Sequence, residues 1–293
     1  MAKGSNHAVL SVIGRDQKGV VARISTHLAS QSINIEDIAQ RVVEGLFVMT
    51  MRIDVADMTV TLDELVFGLK RIGEELGMET SLRLLSERPR RRVALLVSKE
   101  PHCLETLLRD RDRGLVPADY VAVLSNHETL RPIAERAGLE FRWHPSADKT
   151  AHFAFVRSEL EALRPDLVVL ARYMQVLPPE IVSRWPSRII NIHPSLLPHH
   201  PGANAYRQAW EEGVRVSGCT AHFVTEQLDQ GPVILQDVFT IRVGEDTLDD
   251  VKRAGMALEG EVLSKAVQLF VTDQLLVKDR KVIFRPGMGS GAA

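Results

Sequence analysis

From Val93 onward the apolar residues of this 293-residue chain come in short, unbroken runs separated by segments of helix length. The runs are 93–97, 120–124 and 167–171, with a further strand candidate at 188–192, and the stretches 103–113, 130–137, 153–163 and 179–185 between them have helical patterning. Strand and helix in alternation predict an α/β domain built on a doubly wound, mostly parallel sheet. Such sheets bind ligands outside the carboxyl ends of their strands, where the connections diverge. Two more strand-like runs, 216–225 and 232–243, flank a polar loop, 226–231. A helix over 247–270, capped by Asp246 or Thr247, follows, and residues 286–293 read as a mobile tail.

Before Val93 the rhythm is different. Residues 7–13 read as a strand, Gly14 to Gly19 as a turn, and Val20, Val21, Ile24 and Leu28 as one face of a helix. Strand-like runs 35–43 and 46–55 meet at Glu44-Gly45 as in a hairpin, and a helix over 62–76 ends at Gly77 before a strand over 80–85. That order, βαββαβ, is ferredoxin-like, with two helices on one face of an antiparallel sheet. The expected organisation is a small domain over residues 1–85, a basic linker over 86–92 and a larger domain over 93–293.

Composition narrows the class of partner. With 45% hydrophobic and 25% charged residues the chain is globular, and a net charge of -2 offers no footprint for nucleic acid or an anionic membrane. No apolar run approaches the ~20 residues of a membrane span, and the first residues lead into a strand and not a signal-peptide core. The two cysteines, Cys103 and Cys219, are far apart without a C-x-x-C pattern, as expected of a reducing compartment. A cytoplasmic protein with a small-molecule partner is the expectation.

The polar pair in Asn191-Ile-His193-Pro-Ser-Leu-Leu-Pro198 stands directly after the apolar run 188–190, at the address where an active site is expected. An Asn amide donates to a developing oxyanion, a His donates or moves a proton, and a carboxylate on a second loop acts as base. Together they make an acyl-transfer set. The alternative is structural: an Asn or His after a strand, and an Asp before Gly, are common turn residues bonded to backbone. Covalent catalysis has less support, because there is no G-x-S-x-G elbow and neither cysteine has a reactive context. No metal is expected either: H-E-x-x-H is absent and His199-His200 runs into Pro201.

The segment Asn191–Pro198, followed by Gly202-Ala-Asn-Ala-Tyr-Arg-Gln-Ala209, Gly218-Cys-Thr-Ala-His222-Phe-Val and Leu228-Asp229-Gln-Gly-Pro-Val-Ile234, resembles the formyltetrahydrofolate-dependent formyltransferase superfamily. The resemblance implies a catalytic trio of Asn191, His193 and Asp229. It also implies that Leu170-Ala-Arg172-Tyr173-Met174-Gln175-Val176-Leu177 holds the pterin of a folate, although Leu170 and Ala171 read equally well as strand core. Three acceptors then compete: glycinamide ribonucleotide, an aminoacyl-tRNA and water. The ribonucleotide transformylases carry a Gly-Ser-Asn phosphate loop after the first strand; Ser98-Lys-Glu100-Pro101-His-Cys-Leu104 has no glycine there, adds a carboxylate and loses an N–H. A tRNA reader needs a basic surface.

Residues 97–108, 125–131 and 253–255 are similar instead to formyltetrahydrofolate deformylases, which begin with a regulatory ACT domain as residues 1–85 do. Two departures bear on acceptor choice: Pro194 and Leu196 replace the His and Phe common there, and Pro201 stands where a basic residue is usual. The implied reaction is hydrolysis of 10-formyltetrahydrofolate, needing no cofactor and no metal. Transfer to a small amine, or non-catalytic folate binding, are the alternatives. In the ACT half, Asp16, Gly19, Val20, Asn34 and Ile35 are implied as contacts for an amino-acid effector such as glycine or methionine at an interface of a homo-oligomer. A plain turn is the structural alternative there.

Overall fold

The computed structural model describes residues 6–85, 90–198 and 204–286. The described residues divide into two compact units, one of residues 6–85 with 284–286 and one of residues 90–198 and 204–283. Two expectations, the tail from residue 287 and the segment 199–203 with Pro201, lie outside the described residues.

The first unit contains β1 (His7–Arg15), α1 (Val20–Ser30), β2 (Asn34–Val43), β3 (Leu46–Asp54), α2 (Leu62–Glu75) and β4 (Met78–Leu84). Its sheet order is β2-β3-β1-β4, with β1 antiparallel to both neighbours and β2 antiparallel to β3. Leu10, Val12, Met49, Met51 and Ile53 of the sheet pack with Ile24, Leu28, Leu65 and Leu69 of the helices. One detail departs from the expected helix face: Val21 is exposed, and only Val20, Ile24 and Leu28 are buried. A capping box starts α2, with Thr61 Oγ1 accepting from Glu64 N and the Glu64 carboxylate accepting from Thr61 N at 2.8 Å. Such a cap stabilises by about 1 kcal/mol.

From residue 90 the chain runs β5 (Arg91–Val97), α3 (His102–Asp112), β6 (Ala118–Ser125), α4 (Arg131–Arg136), β7 (Phe141–Trp143), α5 (Lys149–Leu163), β8 (Leu167–Ala171), α6 (Pro179–Val182), β9 (Ile189–His193), α7 (Ala205–Glu211), β10 (Val216–Phe223), β11 (Val233–Thr240), α8 (Leu248–Val271), β12 (Leu275–Lys278) and β13 (Lys281–Phe284). The seven-stranded sheet is ordered β11-β10-β9-β8-β5-β6-β7. From β9 to β7 the neighbours are parallel, while β10 is antiparallel to both β9 and β11. Strand β5 explains why its run is apolar throughout. Val93, Leu95 and Val97 enter one core with α3 and α8, while Ala94 and Leu96 enter the other with Val156 and Leu160 of α5.

Because β5 begins at Arg91, the last residues of the expected linker are strand. Helix α5 starts four residues before its expected first residue, at Lys149, where the Asp148 carboxylate accepts from Ala151 N at 3.1 Å. Helix α6 stops at Val182. After β7 the chain returns to the opposite side of β5 as β8, so the connections diverge beside the carboxyl ends of β5, β8 and β9. That divergence creates the crevice in which ligands of such sheets sit.

Candidate active site

Asn191 and His193 are two apart on β9 and therefore project to the same face at its carboxyl end. The antiparallel strand β10 places His222 directly opposite Asn191 and Thr220 opposite His193. Thr220 also fixes the turn that follows: its Oγ1 donates to Ser195 O at 2.7 Å and accepts from Leu197 N at 3.1 Å.

A loop after β10 brings the carboxylate. Phe223 N bonds Pro232 O at 2.9 Å, so the chain doubles back onto β10 within nine residues. The closeness of that return requires Gly231, where a Cβ would stand 1.6 Å from Phe223 O. Asp229 sits at φ 53, a left-handed conformation that a short polar residue tolerates. Its Oδ2 lies 3.3 Å from His193 Nδ1 and its Oδ1 3.7 Å from His222 Nε2. The three side chains are only 6%, 2% and 9% exposed for His193, His222 and Asp229, so their electrostatics are weakly screened.

The tautomer of His222 follows from its partners. Nδ1 lies 3.0 Å from Phe223 O, a carbonyl that only accepts, so Nδ1 carries the proton. Burial depresses the pKa of this imidazole; the Phe223 bond and Asp229 pull it back up, and His193 pushes it down further. Neutral His222 therefore presents a bare Nε2, which accepts from Asn191 Nδ2 at 3.3 Å. The Asn191 amide is thus turned nitrogen-first, and its second N–H remains available on the side of the cavity that Asn191 lines.

That cavity has a volume of about 570 Å³ and contains the whole trio. It has an apolar side, where Met174, Val176 and Leu228 remain 58%, 64% and 58% exposed. All six residues from Arg172 to Leu177 line it, but not in one way. Arg172 and Met174 both have left-handed backbone, φ 60 and φ 50, which swings the chain out of β8. Tyr173 points inward instead and is 1% exposed. The Ser98 hydroxyl donates to its carbonyl, and its phenol donates to Nε2 of His152, whose own Nδ1–H bonds His144 O at 2.8 Å. Gln175 accepts from Lys149, and the Arg172 guanidinium turns toward Glu259 of α8.

The two departures from the deformylase pattern separate. Pro194 lines the cavity. Leu196 is not among its lining residues and lies over Gly218. Glu100, beside the position of the missing phosphate loop, also lines the cavity and adds a negative charge.

The five expected effector residues are not brought together within one chain. Asp16, Gly19 and Val20 follow the Arg15 end of β1, whereas Asn34 pairs with Asp54, which is the partner of His7 at the other end. A nine-residue strand separates the groups, about 25 to 30 Å. Asp16, Gly19 and Asn34 are exposed, Ile35 is half-buried and Val20 is buried.

In the sequence His222 is marked only as part of a segment that resembles the family, and nothing there marks Glu259 or His152. The role of His222 comes from the register of β10 against β9, which sets it opposite Asn191.

Residues 91–267 match the formyl transferase family and residues 6–83 match the ACT domain. A formyltetrahydrofolate deformylase of Bacillus subtilis is 37% identical over 274 residues, 92% of this chain and 90% of that protein. The chain belongs to the formyltetrahydrofolate deformylase family. The crystal structure of such a deformylase from Pseudomonas syringae superposes with a TM-score of 0.87 at 33% identity, covering 97% of this chain and 95% of that one. A glycinamide ribonucleotide transformylase from Symbiobacterium toebii, at 35% identity and a TM-score of 0.65, covers 97% of its own length but 69% of this chain. The deformylase family therefore accounts for both units, and the transformylase for a part of the chain only.

Proposed function

We propose that this protein hydrolyses 10-formyltetrahydrofolate to formate and tetrahydrofolate. The observation that carries the reading is that Asn191, His222, Asp229 and His193 are gathered at the wall of one cavity, with Asn191 bonded to His222 and Asp229 beside His193. Asp229, directly or through His193, takes a proton from water as it attacks the formyl carbon. The free N–H of Asn191, with His193, donates to the oxyanion of the tetrahedral intermediate. His222 takes no proton; it holds the Asn191 amide in the donating orientation. Collapse of the intermediate breaks the bond to N10, which leaves protonated. The apolar side of the cavity, with Met174, Val176 and Leu228, takes the pterin.

The test is to incubate the purified protein with 10-formyltetrahydrofolate and no acceptor. Formate accumulates on this reading. Formate that appears only when an amine is added supports a transferase, and tight folate binding without turnover supports a binding protein.

The ACT unit takes a small amino acid, glycine or methionine, between two copies of the chain. Two observations support this: the expected contacts sit at opposite ends of the sheet, and α1 starts at Gly19, φ 88, without a side-chain cap, leaving N–H groups for a carboxylate. The site is then incomplete in one chain, which makes a homo-oligomer part of the proposal. Calorimetry with single amino acids decides: no heat with any of them leaves only an assembly role. Two buried free cysteines fit a reducing, cytoplasmic setting, and no helix among the described residues is long and apolar enough to cross a membrane.

A further inference from the structure

The same cavity has a second polar group that the hydrolytic network does not use. Glu259 is fully buried on α8. Its Oε2 lies 3.1 Å from His102 Nε2 and 3.4 Å from Arg172 Nε. Glu259 Oε1, Arg172 Nε, His102 Nδ1 and the Tyr206 phenol oxygen are all shielded, and among the described residues none meets them in good hydrogen-bonding geometry, although burial, and after it the nearby Glu259 carboxylate, push the pKa of the Tyr206 phenol up. Buried polar atoms are ordinarily paired, so four in one cluster mark a place built for more than packing. Arg172, Tyr206 and Glu259 line the cavity that holds Asn191, His193 and Asp229.

Close helix packing assembles the group. At Gly260 a Cβ would stand 2.6 Å from Thr106 Oγ1, so only glycine lets α8 lie this close to α3 and bring Glu259 onto His102. At Gly255 a Cβ would stand 2.3 Å from Tyr206 Cζ, so glycine also admits the Tyr206 ring. A metal reading of His102, Cys103 and Glu259, whose ligand atoms lie within 4.8 Å of one another, meets the Arg172 guanidinium on the same carboxylate oxygen and a thiol that burial and Glu259 keep protonated.

We infer that Glu259 and Tyr206 form an acceptor pocket for a small primary amine, and that Arg172 holds it shut, so that water is the nucleophile that reaches the formyl carbon. The inference rests on the hydrolase reading above. Arg172 is 18% exposed on its side chain and is the built-in counter-ion of Glu259. An incoming ammonium group would compete with a cation already tethered there. Take the Arg172 side chain away and Glu259 keeps His102 at 3.1 Å but loses its guanidinium counter-ion, which is unfavourable for a buried carboxylate unless another cation replaces it. A primary ammonium, compact and with three donors, meets the two carboxylate oxygens and the Tyr206 oxygen.

Such an amine would enter the existing chemistry without any co-reactant. The ammonium first releases one proton to solvent. Its nitrogen then bonds to the formyl carbon, Asp229 or His193 takes a second proton, the bond from the formyl carbon to N10 breaks, and that second proton ends on N10. The products are the N-formyl amine and tetrahydrofolate.

The experiment uses the full chain with Arg172→Ala and Arg172→Met, each supplied with 10-formyltetrahydrofolate and increasing glycinamide, with formate and formylglycinamide separated by mass spectrometry. The wild-type protein gives formate alone, and glycinamide does not inhibit it. Both variants divert a fraction on the order of a tenth of their turnover to formylglycinamide. Adding Glu259→Gln to either variant lowers that fraction about tenfold, since the carboxylate is what attracts the amine. Folded variants that make no formylglycinamide overturn the inference, as does a wild-type protein that makes it. If neither variant folds, the wild-type protein still decides: competitive inhibition by glycinamide shows an open pocket and overturns the inference, and its absence supports a closed one. A wild-type protein that releases no formate sinks the hydrolase reading instead.

Discussion

Asn191 Nδ2 lies 3.3 Å from His222 Nε2, and His222 Nδ1 lies 3.0 Å from a carbonyl oxygen, so the imidazole fixes which end of the Asn191 amide faces it. His222→Phe removes the acceptor and leaves the amide free to rotate. The expected effect is a fall in kcat of roughly tenfold to a hundredfold with KM nearly unchanged, since the lost interaction acts on the oxyanion. His222→Gln, which can present an acceptor oxygen, recovers part of the loss. Steady-state kinetics of the two variants check this.

Protonating His222 has the same consequence as removing it, because Nε2–H no longer accepts from Asn191. Burial lowers the pKa of this group. Activity therefore holds as pH drops through the ordinary histidine value of ~6.5 and is lost only on more acidic solution. In His222→Gln that acid limb shifts or disappears. A limb unchanged between the two proteins rules His222 out as its source.

His152 ties stability to pH. It is fully buried, and burial first of all lowers its pKa, with the His144 carbonyl bond opposing. The unfolded chain binds a proton near pH ~6.5 that the folded chain declines, so stability is full above that value and falls as pH drops below it. Melting temperature measured from about pH 7.5 to about pH 5.5 should decline, and His152→Gln should flatten that decline.

Gly231→Ala places a methyl 1.6 Å from Phe223 O, so the loop carrying Asp229 must move off β10. A stability loss of about 2 kcal/mol or more is expected, together with a fall in kcat larger than the loss of folded protein explains. Thermal melting and turnover per folded molecule, measured on the same preparation, separate the two effects.

Strands β5 and β8 were legible as unbroken apolar runs because both faces of each are buried. Strand β7 was not: its three residues include Arg142, and parallel pairing with β6 holds it in place. Helix α7 hid inside a segment read as motif, and its first residues follow a left-handed Asn204 with no side-chain cap. Asn191 and His193 stood out by their spacing at a strand end. His222, between Ala221 and Phe223, reads as one more residue of a buried strand; the register opposite Asn191 supplies its role. Glu259 reads as a surface residue of an amphipathic helix until glycines on either side of it let the helix sink against α3 and Tyr206. Asp16 and Gly19 were legible as turn, Val20 as helix and Ile35 as strand, while Asn34, expected just before that strand, begins it; only the strand directions reveal that the two groups lie at opposite ends of one sheet.

Hydrolysis at the trio is tested most directly by running the reaction in heavy-oxygen water without any amine, with wild-type protein and with Asp229→Asn, whose side chain keeps the left-handed turn at φ 53. The account predicts one solvent oxygen in each formate from the wild-type protein. It predicts a rate lower by on the order of a hundredfold or more in a folded Asp229→Asn protein that still binds tetrahydrofolate. Unlabelled formate, or normal release of labelled formate by the folded variant, would contradict it.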